Sequence, residues 1–167
     1  KIITNDAIKN EPKSYARMLI NYMDNSSENT LIGIENRGVS SLFNPKKSMG
    51  LKLIHSFDME DEYSLSLFDK KANPKWVLDA MYIDKAKARN ITCLQLWQTL
   101  PTDVEHLGTN GEYAEVFINY ESQGLYSFNE GLSYESLSLN PESVLITGKN
   151  NGATTYLEKL PNKIGLI

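Results

Sequence analysis

Cysteine and histidine are scarce in this sequence of 167 residues, and basic residues are fewer than acidic ones. The single thiol, Cys93, cannot form an internal disulfide, although this alone does not fix the compartment. With only His55 and His106 as imidazoles we predict no zinc site, and we assign no catalytic residue, metal or cofactor. The net charge of -4 provides no basic cluster of the kind that direct nucleic-acid binding requires.

Long apolar runs are absent as well. No stretch of about 18 apolar residues exists, so the sequence predicts no membrane-spanning helix. Because the chain starts at Lys1 rather than Met, we interpret it as a mature fragment from which a signal or anchor segment can have been removed. What is present is an ordinary globular composition, 41% hydrophobic, and we predict a single domain over residues 1–167.

The first 48 residues predict a helical head followed by a loop. An apolar stripe at helical spacing indicates an N-terminal helix, formed by Tyr15, Met18, Leu19, Tyr22 and Met23. A short strand is predicted at residues 30–34, and a loop rich in Gly, Ser and Asn at residues 36–48.

From residue 49 to residue 167 the period changes to two, which predicts an antiparallel β-meander. The predicted strands are residues 51–57, 63–68, 76–82, 91–100, 113–120, 125–128, 132–139, 144–147 and 154–157, with a possible helix at 84–89. Turn signals such as Asn73-Pro74 separate these strands. The fold class is therefore mainly β with an N-terminal helix, arranged as an antiparallel sheet, barrel or sandwich.

The stretch LITGKNNGATTYL, residues 145–157, has the Gly148-Lys149 pair of a phosphate-binding loop. A Walker loop requires Ser or Thr after the lysine and then a helix, whereas here Asn150 and a strand-forming run follow. We therefore interpret the stretch as a hairpin that turns at Asn151-Gly152, with Lys149 facing solvent.

Three other chemistries receive little support. Cys93 could pair with His55 or His106, but a buried thiol in a strand is the simpler interpretation. The acidic run at residues 58–62 lacks the spacing of a calcium loop. Glu135 and Glu142 could serve as carboxylates of an ADP-ribosyltransferase-like toxin or effector enzyme, which remains an alternative.

One face of the predicted strand at residues 51–57 places His55 among apolar side chains. A core histidine with one hydrogen-bond partner is the ordinary interpretation, and a polar anchor in an apolar ligand cavity is the alternative. The candidate ligand-binding residues are His55, Leu53, Phe57, Tyr82, Trp97, Phe117, Tyr126 and Tyr134.

Two stretches resemble the ToxS group of small periplasmic proteins, which includes ToxS/VtrC-like members. They are NPESVLITGKNNGATTYL at residues 140–157 and EYAEVFINYESQGLYSFNEGLSYESL at residues 112–137. Both are patterns of strands and polar turns.

The resemblance implies an inner-membrane-anchored protein with a periplasmic β-barrel of lipocalin-like or fatty-acid-binding-protein-like shape. It also implies an obligate heterodimer with the periplasmic domain of a ToxR-like membrane transcription regulator. The expected function is non-enzymatic: binding of a bile salt or a similar amphipathic ligand, and regulation of virulence genes. A ligand-free structural interaction module is a further alternative.

Overall fold

A computed structural model of the protein describes residues 1–101, 108–133, 136–137 and 139, and shows a closed barrel of seven strands. The strand order around the barrel is β1-β2-β3-β4-β5-β7-β6. The elements in chain order are β1 (Ile2–Ile3), β2 (Ser14–Asn21), β3 (Ser27–Arg37), a 3-10 helix (Ser40–Phe43), β4 (Ser48–Ile54), β5 (Lys75–Asp79), α1 (Arg89–Thr99), β6 (Gly111–Ile118) and β7 (Glu121–Glu130). The prediction of a mainly β barrel is confirmed.

The sheet is mixed rather than fully antiparallel. Every strand pair is antiparallel except β1 with β6, which run parallel and pair at Ile2 and Ile118. This parallel pair closes the barrel, and β1 has only two residues to do so. Within the described parts of the chain, no helix has the length and apolar character needed to cross a membrane.

The predicted N-terminal helix is wrong, because Tyr15, Met18 and Leu19 lie in strand β2, and Tyr22 and Met23 follow it. Alternate residues of β2 face the core, where Ala16 and Met18 are buried. β2 pairs along its whole length with β3, through a turn in which Asp24 accepts hydrogen bonds from the amide and hydroxyl of Ser26. Asp and Ser end helices and also form turns, so the local signal was ambiguous. The predicted strand at residues 30–34 is confirmed within the longer β3.

The barrel core follows the period-two alternation of the central strands. Ile32 and Ile34 on β3, Leu51 and Leu53 on β4 and Trp76 on β5 are each at most 2% exposed. The indole Nε1 of Trp76 donates a hydrogen bond of 2.8 Å to the Asn73 carbonyl, so its polar atom is satisfied inside the core.

The strand predicted at residues 91–100 is also wrong, because this segment forms α1. Asp84 precedes the helix, and one of its carboxylate oxygens accepts hydrogen bonds from the amides of Ala88 and Arg89, where the helix begins. Asp84 lies outside residues 91–100, so the alternation of β-branched and apolar residues within that segment could not indicate this capping. The possible helix at residues 84–89 is the turn before α1.

Some of the other predicted strands are not regular strands, and some lie outside the described residues. Residues 63–68 form one isolated bridge, Leu65 with Asn73, rather than a regular strand. The predicted strands at residues 144–147 and 154–157, and parts of that at 132–139, lie outside the described residues. β6 and β7 confirm the predictions at residues 113–120 and 125–128. That residues 1–167 form a single domain stays a prediction.

Candidate functional site

The loop between β3 and β4 is a compact structure that carries two adjacent lysines. It begins at Gly38, whose φ of +121° disfavours any other residue, and an added Cβ would collide with the Ser41 hydroxyl. The 3-10 helix follows, and the ammonium group of Lys47 holds it by donating to the Leu42 carbonyl and, at 2.6 Å, to that of Asn44. The loop therefore has a fixed course that leads directly to Lys46.

Lys46 extends across the barrel wall to β7. Its ammonium group donates a hydrogen bond to the Leu125 carbonyl and lies 4.0 Å from the ring centre of Tyr126. Tyr126 is 2% exposed, and burial raises its pKa to about 12. The phenol is therefore neutral at physiological pH, and its ring attracts the lysine as a cation–π partner.

Lys87 lies in the segment between β5 and α1. Its ammonium group donates to the Met81 carbonyl and, at 3.3 Å, to the Tyr82 carbonyl. The Tyr113 hydroxyl donates a hydrogen bond of 2.7 Å to the Lys87 carbonyl and ties this segment to β6. Met81 and Lys87 both have positive φ values, 46° and 55°, so the backbone here is strained to hold the turn.

Asp79, at the end of β5, connects the surrounding elements. One carboxylate oxygen accepts hydrogen bonds from the Ser48 hydroxyl at 3.3 Å and the Met81 amide at 3.0 Å. The other accepts a hydrogen bond of 2.7 Å from the Asn90 side chain on α1. This carboxylate therefore positions the start of β4, the turn after β5 and the start of α1 relative to one another.

Lys46 and Lys87 form a pair of like charges, which we call the lysine pair. Partial burial lowers the pKa of Lys46, and the positive charge of Lys87 lowers it further, whereas the charge of Asp79 opposes the shift. Each ammonium group satisfies its hydrogen bonds on backbone carbonyls. Two cations that repel each other attract a polyvalent anion, and a phosphate chain is a common ligand of such lysines.

The structure does not bring the sequence-predicted ligand residues together. Leu53 is fully buried in the core, whereas His55 is exposed and stacks on Tyr63. The remaining residues are dispersed: Phe57 and Tyr82 are exposed, Trp97 lies exposed on α1, Phe117 faces a cleft beside β6, Tyr126 lies beneath Lys46, and Tyr134 is outside the described residues.

The remaining candidate residues are either exposed or outside the described residues. Cys93, expected as a buried thiol in a strand, is exposed on α1. His106, Glu135, Glu142 and the LITGKNNGATTYL stretch lie outside the described residues.

The lysine pair was missed because its residues come from separate segments. The sequence Pro45-Lys46-Lys47 follows a loop rich in Gly and Ser, and this could have indicated a basic loop beside a strand. No local signal places Lys87 beside it, because the connection depends on the pairing of β4 with β5 and of β5 with β7.

The comparisons with known proteins identify a family. The family model described as CotH kinase protein matches residues 34–157, which is most of the chain and includes the whole lysine pair. The chain therefore belongs to the CotH kinase protein family. A comparison with curated proteins finds no match.

This family membership overturns the ToxS-like resemblance and the functions it implied. A kinase family is an enzyme family, so the prediction of a non-enzymatic bile-salt sensor that regulates virulence genes is wrong. The residues at 112–137 that carried the resemblance include the β6–β7 hairpin, and any antiparallel sheet can contain such a pattern. The ToxR-like partner and the periplasmic, membrane-anchored location stay predictions that no observation tests.

Proposed function

Because the chain belongs to the CotH kinase protein family, we propose that its barrel binds the phosphates of a nucleoside triphosphate through the lysine pair. The observation that carries this proposal is that Lys46, anchored on β7, and Lys87, anchored on the turn after β5, lie close enough for the charge of Lys87 to lower the pKa of Lys46. The chemical class is phosphoryl transfer, in which binding cations stabilise charge on the transferred group.

The arrangement of elements supports a kinase role. In protein kinases a glycine-containing loop covers the phosphates, a lysine contacts them and a helix supplies an acidic partner for that lysine. Here the β3–β4 loop contains Gly38 and leads to Lys46, and α1 follows the next strand, β5. The acidic partner differs, because α1 has no acidic residue in its first turn and Asp79 on β5 is the carboxylate near Lys46.

Kinases use magnesium ions, and the described residues do not fit a magnesium site. No group of three or more His, Cys, Asp or Glu side chains that could hold a metal exists in residues 1–101, 108–133, 136–137 and 139. Both carboxylate oxygens of Asp79 accept protein hydrogen bonds, and so do both of Asp84. The role that we assign to this part of the chain is therefore phosphate binding alone, with no step through a metal.

Calorimetric titration of the whole chain with ATP tests the proposal. Hydrogen bonds to charged groups contribute about 1.5–3 kcal/mol, so Lys46→Ala or Lys87→Ala should each weaken ATP binding by about 10-fold to 100-fold. Lys85→Ala is the matched control, because Lys85 is exposed in the same segment as Lys87. We expect this variant to bind ATP as the unmodified chain does.

Two results would contradict the proposal. The first is the absence of ATP binding by the unmodified chain. The second is an equal loss of affinity in the Lys46, Lys87 and Lys85 variants, since that would indicate general charge attraction rather than a site. Circular dichroism of each variant separates loss of binding from loss of fold.

A further inference from the structure

A half-open cleft lies between β2 and β6. β1 bridges these two strands only at Ile2 and Ile3, where it pairs with Met18 and Arg17 of β2 and, at one position, with Ile118 of β6. Among the described residues, no strand pairs with the outer edge of β6 from residue 111 to residue 117. An unpaired edge of this kind presents backbone donors and acceptors to any extended chain that can reach it.

The cleft has a volume of about 950 Å³ and combines an apolar floor with an acidic rim. Its apolar lining includes Met18, Ile20, Val116 and Phe128. Its charged lining consists of Lys1 and the carboxylates of Asp24, Glu28, Asp69, Glu112 and Glu115. Only Glu112 has a described ion pair, with Lys70 at 3.0 Å.

The pKa of Tyr22 responds to the negative charge of this rim. Its ring packs edge-on against Phe68, with the ring centres 5.4 Å apart. Burial raises the pKa of the Tyr22 hydroxyl, and the negative charges of Glu28, Asp69 and Asp24 raise it further. These carboxylates therefore act on one point of the cleft, although they come from the β2–β3 hairpin and from the loop at residues 66–69.

We propose that this cleft binds an extended peptide of alternating apolar and basic residues, which adds as a strand to the outer edge of β6. The β6 edge supplies main-chain hydrogen bonds, the apolar floor receives every second side chain, and the acidic rim receives the basic ones. About six extended residues span roughly 20 Å, which matches a free edge of this length. The inference does not depend on the proposed nucleotide site.

Fluorescence anisotropy with the whole chain tests this inference. The probe is a labelled hexapeptide of alternating lysine and valine, and the control peptide has glutamate in place of lysine. We expect binding of the lysine peptide only. Reversing a rim charge with Glu28→Lys or Glu115→Lys should weaken it by about tenfold or more, because an attraction becomes a repulsion. Glu60→Lys, exposed and outside the cleft, is the matched control and should leave binding unchanged.

Backbone hydrogen exchange supplies the second measurement. The β6 amides that do not donate to β7 should exchange fast in the free chain and slowly with the lysine peptide bound. Failure of the lysine peptide to bind would overturn the inference, as would equal binding of the glutamate peptide. Slow exchange of those amides before any peptide is added would also overturn it, because the chain's own residues would then cover the edge. Loss of ATP binding in the lysine variants bears only on the nucleotide site, so the two proposals fail separately.

Discussion

At the scale of single residues, Lys46 illustrates how neighbours set the chemistry of one ammonium group. Lys87 disfavours its charge, and Asp79 favours it. A bound phosphate chain would add negative charge beside both lysines and would therefore raise the pKa of Lys46. Affinity for an anion and the ionisation of Lys46 are consequently linked.

Asp79→Asn should lower the pKa of Lys46 further, because it removes the one charge that raises it. The asparagine oxygen can still accept a hydrogen bond from the Met81 amide, so we expect the fold to persist. Titration of the lysine side-chain resonances by NMR measures the shift. Asp58→Asn, in an exposed turn, is the control. An unchanged Lys46 titration in the Asp79 variant would disprove the electrostatic connection.

Asp84 makes a contribution that depends on pH. The hydrogen bond from the Arg89 amide, with those from the Ala86 and Ala88 amides, lowers the pKa of Asp84 below its model-peptide value. A carboxyl with a lowered pKa in the folded state stabilises the fold above its unfolded pKa, near about 4. That stability is lost as the pH falls through the lower, folded pKa.

Asp84→Asn should therefore reduce stability at pH 7 and have a smaller effect near pH 3, because pH 3 lies below the unfolded pKa and part of the contribution is already lost there. Urea unfolding at the two pH values measures the difference. An equal loss of stability at both would show that the charge of Asp84 contributes nothing to the capping.

At the scale of elements, Asn73 links three segments through one buried amide. Its side-chain nitrogen donates a hydrogen bond of 2.8 Å to the Gly131 carbonyl after β7. Its side-chain oxygen accepts from the Lys75 amide at 3.0 Å and from the Ser133 hydroxyl at 3.1 Å. Asn73 is 0% exposed, so no water can replace these bonds without a rearrangement.

Asn73→Ala should lower the free energy of unfolding by about 1 to 3 kcal/mol, because buried partners lose their hydrogen bonds. Urea unfolding monitored by tryptophan fluorescence is suitable, since the Trp76 indole donates to the Asn73 backbone carbonyl, which the variant retains. Asn10→Ala, at an exposed position, is the control. A loss no larger than that of the control would contradict this role.

At the scale of the whole molecule, packing is uneven between the barrel and its helix. The central strands are buried on one face, whereas Ile91 is the buried residue of α1. Leu96, Trp97 and Leu100 are between 42% and 57% exposed. Few buried contacts leave a helix dependent on its capping and its own hydrogen bonds.

Native-state hydrogen exchange should therefore show α1 opening at a lower free energy than β3 and β4. Amides of α1 should exchange before those of Ile32 and Leu53, which are 0% exposed. Equal protection of helix and strands would show that the chain unfolds as one unit and would contradict this order.

Local patterns predicted the parts of the fold that depend on local chemistry. The alternation around Leu51 and Leu53 predicted a strand, and so did that of residues 113–120 and 125–128. The site could not be predicted in the same way. Most of the candidate ligand residues are aromatic, but the fold places those that the structure describes in different parts of the molecule.

The sequence by itself determined that this protein is mainly β, with a core of alternating apolar residues and polar turns between strands. The tertiary structure decided that Tyr15 and Met18 lie in a strand, because β3 offers a partner along the whole length of β2. It also decided that residues 91–99 lie in a helix, since Asp84 caps them from outside. The electrostatic interaction of Lys46 with Lys87 was likewise decided there, because Coulomb interactions follow distance in space and the sequence records only distance along the chain.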